Sequence, residues 1–242
     1  MKISIVSLGC SKNLVDSEII TGALENAGHE ISSERDAEVI IVNTCGFIGD
    51  AKKESIETIL ELSKRKENGA CRKLIVTGCL VERYSKELSR ELPEVDAFWG
   101  TGNLLKIDEA LNDLPGEKIY RNPPGTLYDP DTPRVLLTPP HYAYVKVSEG
   151  CSRTCSFCII PKMRGIMKSR AVESITGEVN RLALRGVKEI NLIAQDMTSY
   201  GRDIGTNLEN MLRELVKSDG IKWIRIHYCY PWGLSDSLID LI

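Results

Sequence analysis

Apolar and polar residues alternate through residues 2–8, and the alternation breaks at Gly9-Cys10-Ser11-Lys12-Asn13. A helical spacing then runs from about residue 16 to residue 27, where Gly28 supplies a stop. The unit repeats: a strand over 38–43 and a helix over 50–67, a strand over 73–77 and a helix over 81–91 ahead of Pro93, and a short strand over 96–99 with a helix near 104–114. Strands alternating with helices at this interval predict an α/β fold with a parallel, doubly wound sheet and right-handed crossovers.

The periodicity lapses over residues 115–140, which hold seven of the ten prolines. This stretch reads as a proline-rich linker between a domain over 1–114 and a second over 141–242. The second part runs strand 142–147, helix 172–185 ended by Gly186, strand 189–194, helix 208–218, strand 223–228, and a last helix opening near Ser235. Three strands cannot close a barrel, so the expectation is the first part of a partial (β/α) barrel within a longer chain. In the strand over 223–228, Arg225 and His227 share the face opposite Ile224 and Ile226. They are read either as pointing into the half-barrel cavity or as a packed polar pair, with Cys229 a bystander.

Composition changes this picture little. Hydrophobic residues at 42% and charged residues at 27% are ordinary for a globular chain. A net charge of -3 argues against bulk attraction to nucleic acid. No run reaches the roughly 18 apolar residues of a membrane span, and the apolar start is too short for a secretory signal. Eight cysteines in 242 residues fall short of a disulfide scaffold, so a reducing, cytoplasmic setting is expected. Lys162, Arg164, Lys168 and Arg170 form a basic run without an acid, readable as a solvated face or as a rim for an anionic partner.

The cysteines carry the candidate chemistry. Cys151, Cys155 and Cys158 lie on one short loop with three and then two residues between them. A structural zinc site takes four protein ligands, and no second pair follows at a usable distance. A 4Fe-4S cubane held by three thiolates instead leaves one iron open. A zinc knuckle or three core cysteines are the plainer readings. Cys10, Cys45 and Cys79 each lie just past the carboxyl end of a predicted strand beside a glycine, and so share the edge where open α/β sheets bind ligands. Three small buried residues at strand ends would give the same pattern. Cys71 precedes its strand and belongs at the opposite edge.

The Cys-x3-Cys-x2-Cys loop, with Phe157 before its third cysteine, resembles the signature of radical S-adenosylmethionine (SAM) enzymes. Three cysteines on an amino-terminal sheet, the proline-rich link and that loop together resemble the methylthiotransferases. The stretches Gly9-Cys10-Ser11-Lys12-Asn13-Leu14-Val15-Asp16-Ser17-Glu18, Ile159-Ile160-Pro161-Lys162-Met163-Arg164-Gly165 and Ala194-Gln195-Asp196-Met197-Thr198-Ser199-Tyr200-Gly201 are most like the branch acting on an aspartate of a small-subunit ribosomal protein.

The resemblance implies two 4Fe-4S clusters, one on Cys151, Cys155 and Cys158 that binds SAM at its open iron, and one on Cys10, Cys45 and Cys79 that carries the sulfur to be transferred. It implies that the Phe157 backbone lies against the adenine of SAM and that Gln195 makes a polar contact to SAM. It assigns no separate catalytic side chain. The implied partners are a ribosomal protein as substrate, an electron donor such as a flavodoxin or ferredoxin, and a sulfur donor, with no membrane and no requirement for nucleic acid. Family members continue into further barrel units and a small TRAM β-domain absent from this sequence. The tRNA adenosine methylthiotransferases and a non-catalytic two-cluster iron-sulfur protein are the alternative readings.

Overall fold

The computed structural model describes residues 1–112 and 118–242, so the predicted end of the fourth helix at Leu114 and the start of the linker at Pro115 lie outside the described residues. The first part comprises β1 (Lys2–Ser7), α1 (Ser11–Asn26), β2 (Glu30–Ile31), β3 (Val39–Thr44), α2 (Gly49–Asn68), β4 (Lys73–Gly78), α3 (Cys79–Glu91), β5 (Ala97–Trp99) and β6 (Ile119–Tyr120). The six strands form one parallel sheet in the order β2-β1-β3-β4-β5-β6. Every residue of β3 is buried, as its unbroken Val-Ile-Ile-Val run requires of a strand covered on both faces. Ile40, Val42, Leu74, Val76 and Phe98 pack on one side with residues of α2 and α3, while Val39, Ile41, Ile75 and Trp99 pack on the other with α1.

Two expectations need correcting. The helix expected near 104–114 is a 3-10 helix over residues 101–111, kinked at Lys106. Helix α1 starts at Ser11, five residues earlier than its apolar spacing predicts, because Lys12, Asn13, Asp16, Ser17 and Glu18 are buried polar residues that hide the periodicity. The proline-rich segment does more than connect: Ile119–Tyr120 extends the sheet and Arg134 ties three elements together.

The second part comprises β7 (Tyr142–Lys146), β8 (Ser148–Glu149), α4 (Ile160–Arg164), β9 (Lys168–Ser169), α5 (Val172–Leu184), β10 (Glu189–Ile193), α6 (Leu208–Leu215), β11 (Trp223–Ile226) and α7 (Asp236–Leu241). Strands β11, β10 and β7 make a parallel sheet in that order. Ala143, Val145, Ile190 and Leu192 pack with Ile175, Val179, Met211 and Leu215 of the helices, and Ile224 and Ile226 join them. Ser235 caps α7, its hydroxyl accepting the Leu238 N–H at 3.1 Å. Among the described residues, no helix is long and apolar enough to cross a membrane.

Candidate functional site

Three neighbouring parallel strands, β1, β3 and β4, end at one edge of the larger sheet, and each leads within three residues to a cysteine. Thr44↔Gly78 is the last pair of the β3–β4 ladder, so Cys45 and Cys79 both follow directly from the end of that ladder. Cys10 is the N-cap of α1 and Cys79 the first residue of α3. Unpaired N–H groups at such helix starts favour a thiolate. Gly9 has φ +89°, and a Cβ there would stand 2.5 Å from the Cys45 Cβ and 3.1 Å from its Sγ, so only glycine lets these two loops close. The Ser55 hydroxyl accepts the Cys45 N–H and donates to the Cys45 carbonyl, both at 3.1 Å. Cys10 is exposed, while Cys45 and Cys79 are buried. Burial pushes both buried thiols up, Cys79 to about 11 even with Arg164 beside it. Cys71 packs into the core beside Leu74, its thiol donating to the Lys73 carbonyl at 3.4 Å.

The second set of thiols hangs from the small sheet. Strand β8 pairs antiparallel with β9, which closes the base of the intervening loop. Gly150 has φ +76°, and a Cβ there would lie 2.1 Å from the Ile166 carbonyl oxygen. The Cys151 N–H donates to the Gly165 carbonyl and the Cys158 N–H to the Cys155 carbonyl, both at 3.0 Å. Cys151, Cys155, Cys158, Gln195, Asp196 and Cys229 share a cavity of about 250 Å³ beyond the carboxyl ends of β7, β10 and β11. A neighbouring cavity of about 380 Å³ shares Cys151, Arg153 and Asp196 and adds Ser199 and Arg202. Arg153 joins the two, its Nε donating to Asp196 Oδ2 at 2.6 Å and its guanidinium lying 4.0 Å from the Tyr230 ring centre. The Phe157 side chain is 86% exposed. Among the described residues, no three histidine, cysteine or carboxylate side chains are gathered closely enough for a single metal ion.

Between the two thiol sets lies a buried ionic network that sequence reasoning misses. Lys12 Nζ donates to the Ser148 carbonyl at 2.9 Å and to Gln195 Oε1 at 2.5 Å, and sits 3.4 Å from Glu149. Lys146 donates to Asp16 at 2.7 Å and to Glu149 at 2.6 Å, and Arg164 donates to Asp16 at 2.7 Å. Burial works against the charge on Asp16, but Lys146 and Arg164 outweigh it and hold this carboxyl below its usual range. Burial opposes the Glu149 charge too, and Lys12, Lys146 and Arg164 hold Glu149 well below. Burial also lowers Lys12 to about 8 against the pull of Glu149. Tyr128 donates to Asp16 at 2.7 Å. These residues lie up to 183 positions apart (Lys12 to Gln195), so no local pattern reveals them.

Gln195 therefore lines the thiol cavity while accepting from Lys12 and donating to Glu149 at 3.0 Å. Arg225 and His227 do not pair with each other. Arg225 donates to Glu189 at 2.7 Å and His227 meets Asn191 at 2.9 Å, on the sheet face away from the helices. The basic run fits neither of its readings as a whole: Lys162 and Lys168 are exposed, whereas Arg164 and Arg170 are each 3% exposed and tied into ion pairs. Cys229, expected to be a bystander, lies in the cavity of the loop thiols.

Residues 2–100 match a family described as uncharacterized protein family UPF0004. Proteins named ribosomal protein uS12 methylthiotransferase RimO from Pelobacter propionicus and Geotalea uraniireducens are 53% and 52% identical to the chain, each match covering 100% of this chain and 55% of the relative. The chain thus spans about half the length of the curated relatives it matches. Among solved structures, the radical SAM methyltransferase TsrM from Kitasatospora setae, with cobalamin and a 4Fe-4S cluster bound, superimposes with a TM-score of 0.60 at 14% identity. That match covers 99% of this chain and 58% of TsrM. The cobalamin-dependent SAM radical enzyme OxsB gives 0.52 at 11% identity, covering 99% of this chain and 41% of OxsB. At these identities the likeness shows a shared fold.

Proposed function

We propose that this chain, 53% and 52% identical over its whole length to proteins named ribosomal protein uS12 methylthiotransferase RimO, is a methylthiotransferase that carries the two iron-sulfur sites and the SAM site of an enzyme that methylthiolates ribosomal protein uS12. In this reading residues 1–114 are the family's amino-terminal domain, 115–140 the linker and 141–242 the radical SAM domain. Cys10, Cys45 and Cys79 hold one 4Fe-4S cluster, and Cys151, Cys155 and Cys158 hold the other. The observation that carries the reading is the pairing of two three-thiol sets, each at the carboxyl ends of parallel strands.

The residues present fit such groups. Each set offers three sulfur donors, one short of closing a cubane. Lys12, Lys146 and Arg164 outnumber the carboxylates Asp16 and Glu149 in the adjoining network, three against two, leaving buried positive charge beside Cys79 to offset anionic thiolates. When bound, the clusters and SAM supply the radical, sulfur and methyl chemistry, as cofactors do. Arg153 and Asp196 hold the rim of the cavity next to Cys151, and Gln195, fixed between Lys12 and Glu149, presents a polar group to it. Phe157 contributes its backbone to the adenine of SAM. Tyr230 and Tyr228 line the same cavity with aromatic surface. An external electron donor and a sulfur donor complete the reaction.

Anaerobic reconstitution tests this reading. About eight irons and eight sulfides per chain, with SAM cleavage by the reduced protein, are expected for two cubanes. A value of about four, or zinc in place of iron, would sink it. Cys229 favours a second reading, in which a fourth thiol in the cavity closes the loop cluster and the protein only transfers electrons. Under the main reading, Cys229→Ser leaves the electron paramagnetic resonance (EPR) change induced by SAM intact.

A further inference from the structure

Arg164 closes helix α4, six residues beyond Cys158 in sequence, yet its hydrogen bonds all go toward the other thiol set, with Glu149 Oε2 at 3.7 Å its one ion-pair contact beside the loop. Its Nε donates to Cys79 Sγ at 3.1 Å, its Nη1 to Asp16 Oδ2 at 2.7 Å and its Nη2 to Asn13 Oδ1 at 2.5 Å. Asn13 is the hub of the remaining two loops. Its Nδ2 donates to the Leu8 carbonyl at 3.0 Å and to the Thr44 carbonyl at 2.9 Å, next to the Gly9-Cys10 turn and to Cys45, and its own carbonyl accepts from Asn43 at 2.9 Å. One guanidinium thus grips Cys79 directly and the strand ends before Cys10 and Cys45 through Asn13.

We propose that Arg164 is a positioning residue that sets the reduction potential of the amino-terminal cluster, although it is carried by the loop of the other one. The inference rests on the reading of Cys10, Cys45 and Cys79 as cluster ligands. A thiol sulfur is a poor acceptor, and an arginine needed only for folding would be served by Asp16 and Asn13. A ligand thiolate is a far better, charge-assisted acceptor. Hydrogen bonds to cluster sulfurs and nearby buried positive charge favour the reduced, more negative state, and so raise the potential. Arg164 supplies both, and the network's surplus cation lies against that sulfur. Because α4 continues the Cys151–Cys158 loop, the same side chain also fixes the setting of one site against the other.

The test isolates each cluster. Arg164→Gln and Arg164→Lys are placed in the full chain with Cys151, Cys155 and Cys158 replaced by Ala, and separately with Cys10, Cys45 and Cys79 replaced by Ala. Potentials are read by EPR-monitored redox titration after anaerobic reconstitution. The expected result is a lower potential and an altered EPR signal for the amino-terminal cluster, larger for Gln than for Lys, and an unchanged potential for the loop cluster. Selective failure of the amino-terminal site to load, with the loop site filling normally, supports the positioning role as well. An unmoved potential in a loaded amino-terminal cluster overturns the inference, as does an equal shift or equal iron loss at both sites. If the protein with only Cys10, Cys45 and Cys79 binds no iron before Arg164 is touched, the ligand assignment fails and takes the inference with it.

Discussion

Cys10, Cys45 and Cys79 are separated by 35 and then 34 positions and meet because three parallel strands end side by side. Cys151, Cys155 and Cys158 lie within eight residues of one loop whose base a two-residue ladder closes. The first site is a property of sheet register, with Cys45 and Cys79 buried at strand ends and Cys10 exposed on the loop after β1. The second belongs to one segment, with Cys155 and Cys158 half-exposed. The entropy of bringing ligands together is met in the first case by the whole domain's packing and in the second by a short loop. Damage should therefore reach the first site from distant core positions and the second from neighbouring ones only.

The largest effect should come from the six cysteines proposed as cluster ligands. Replacing Cys10, Cys45 and Cys79 with Ala should lower iron from about eight to about four per chain and leave SAM cleavage in place. The reciprocal triple replacement should also leave about four irons but abolish cleavage. Loss of all iron from either variant would break the comparison, because the sites would then not be independent.

A smaller effect separates the two glycines. In Gly9→Ala the left-handed backbone costs about 1–2 kcal/mol and the overlap with Cys45 about another 1–3 kcal/mol. A urea denaturation loss of roughly 3 kcal/mol, with iron missing from the amino-terminal site, is expected. Gly150→Ala should cost a similar amount and empty the loop site. Swapped patterns of iron loss would mean that the loops, and not the strands, set the first site.

Smaller again is the pH response of the junction. Burial pushes Glu178 up, but Arg170 and Arg134 outweigh it and hold its carboxyl below 4.5. Such a depressed group stabilises fully above about pH 4.5, and the contribution is lost as pH falls through its folded value. Glu178→Gln should be about 2 kcal/mol less stable than the parent at pH 7, with the gap narrowing below pH 4.5 in parallel denaturation curves. A gap that widens in acid would reverse the sign assigned here. The least effect belongs to Phe157→Ala, whose side chain is 86% exposed: stability should change by less than about 0.5 kcal/mol, with iron unchanged at both sites. A substantial loss of SAM affinity would show that the ring, and not just the backbone, contacts the nucleoside.

The alternation of strands and helices was readable because β3, β4 and β10 are apolar runs bounded by turns, as with Val39 to Val42 ahead of Cys45 and Gly46. The two-residue strands β2 and β6 carry too little pattern to be seen, and β6 lies in a proline-rich stretch that argues against any strand. Candidate thiols stood out by spacing in the loop and by a shared offset in the sheet. What stayed hidden was the network joining them. Lys12 falls in the turn before the expected helix and Asp16 and Glu18 in its first turn, yet each is buried against a partner more than a hundred positions away. Burial of charge is decided by tertiary partners, which local sequence does not encode.

Helix α1 has no free side: its Ile20 and Leu24 face the large sheet, while Lys12, Asp16 and Glu18 reach Gln195, Lys146 and Arg134. Linked domains ordinarily swing against each other. Here, rotation about the junction would strip several fully buried ions of their counter-charges at once, at roughly 3–5 kcal/mol for each pair broken. The helix thus works as a splint between the elements that carry the two thiol sets. A change that loosens α1 is therefore felt at both thiol sets at once, whichever of them it lies nearer.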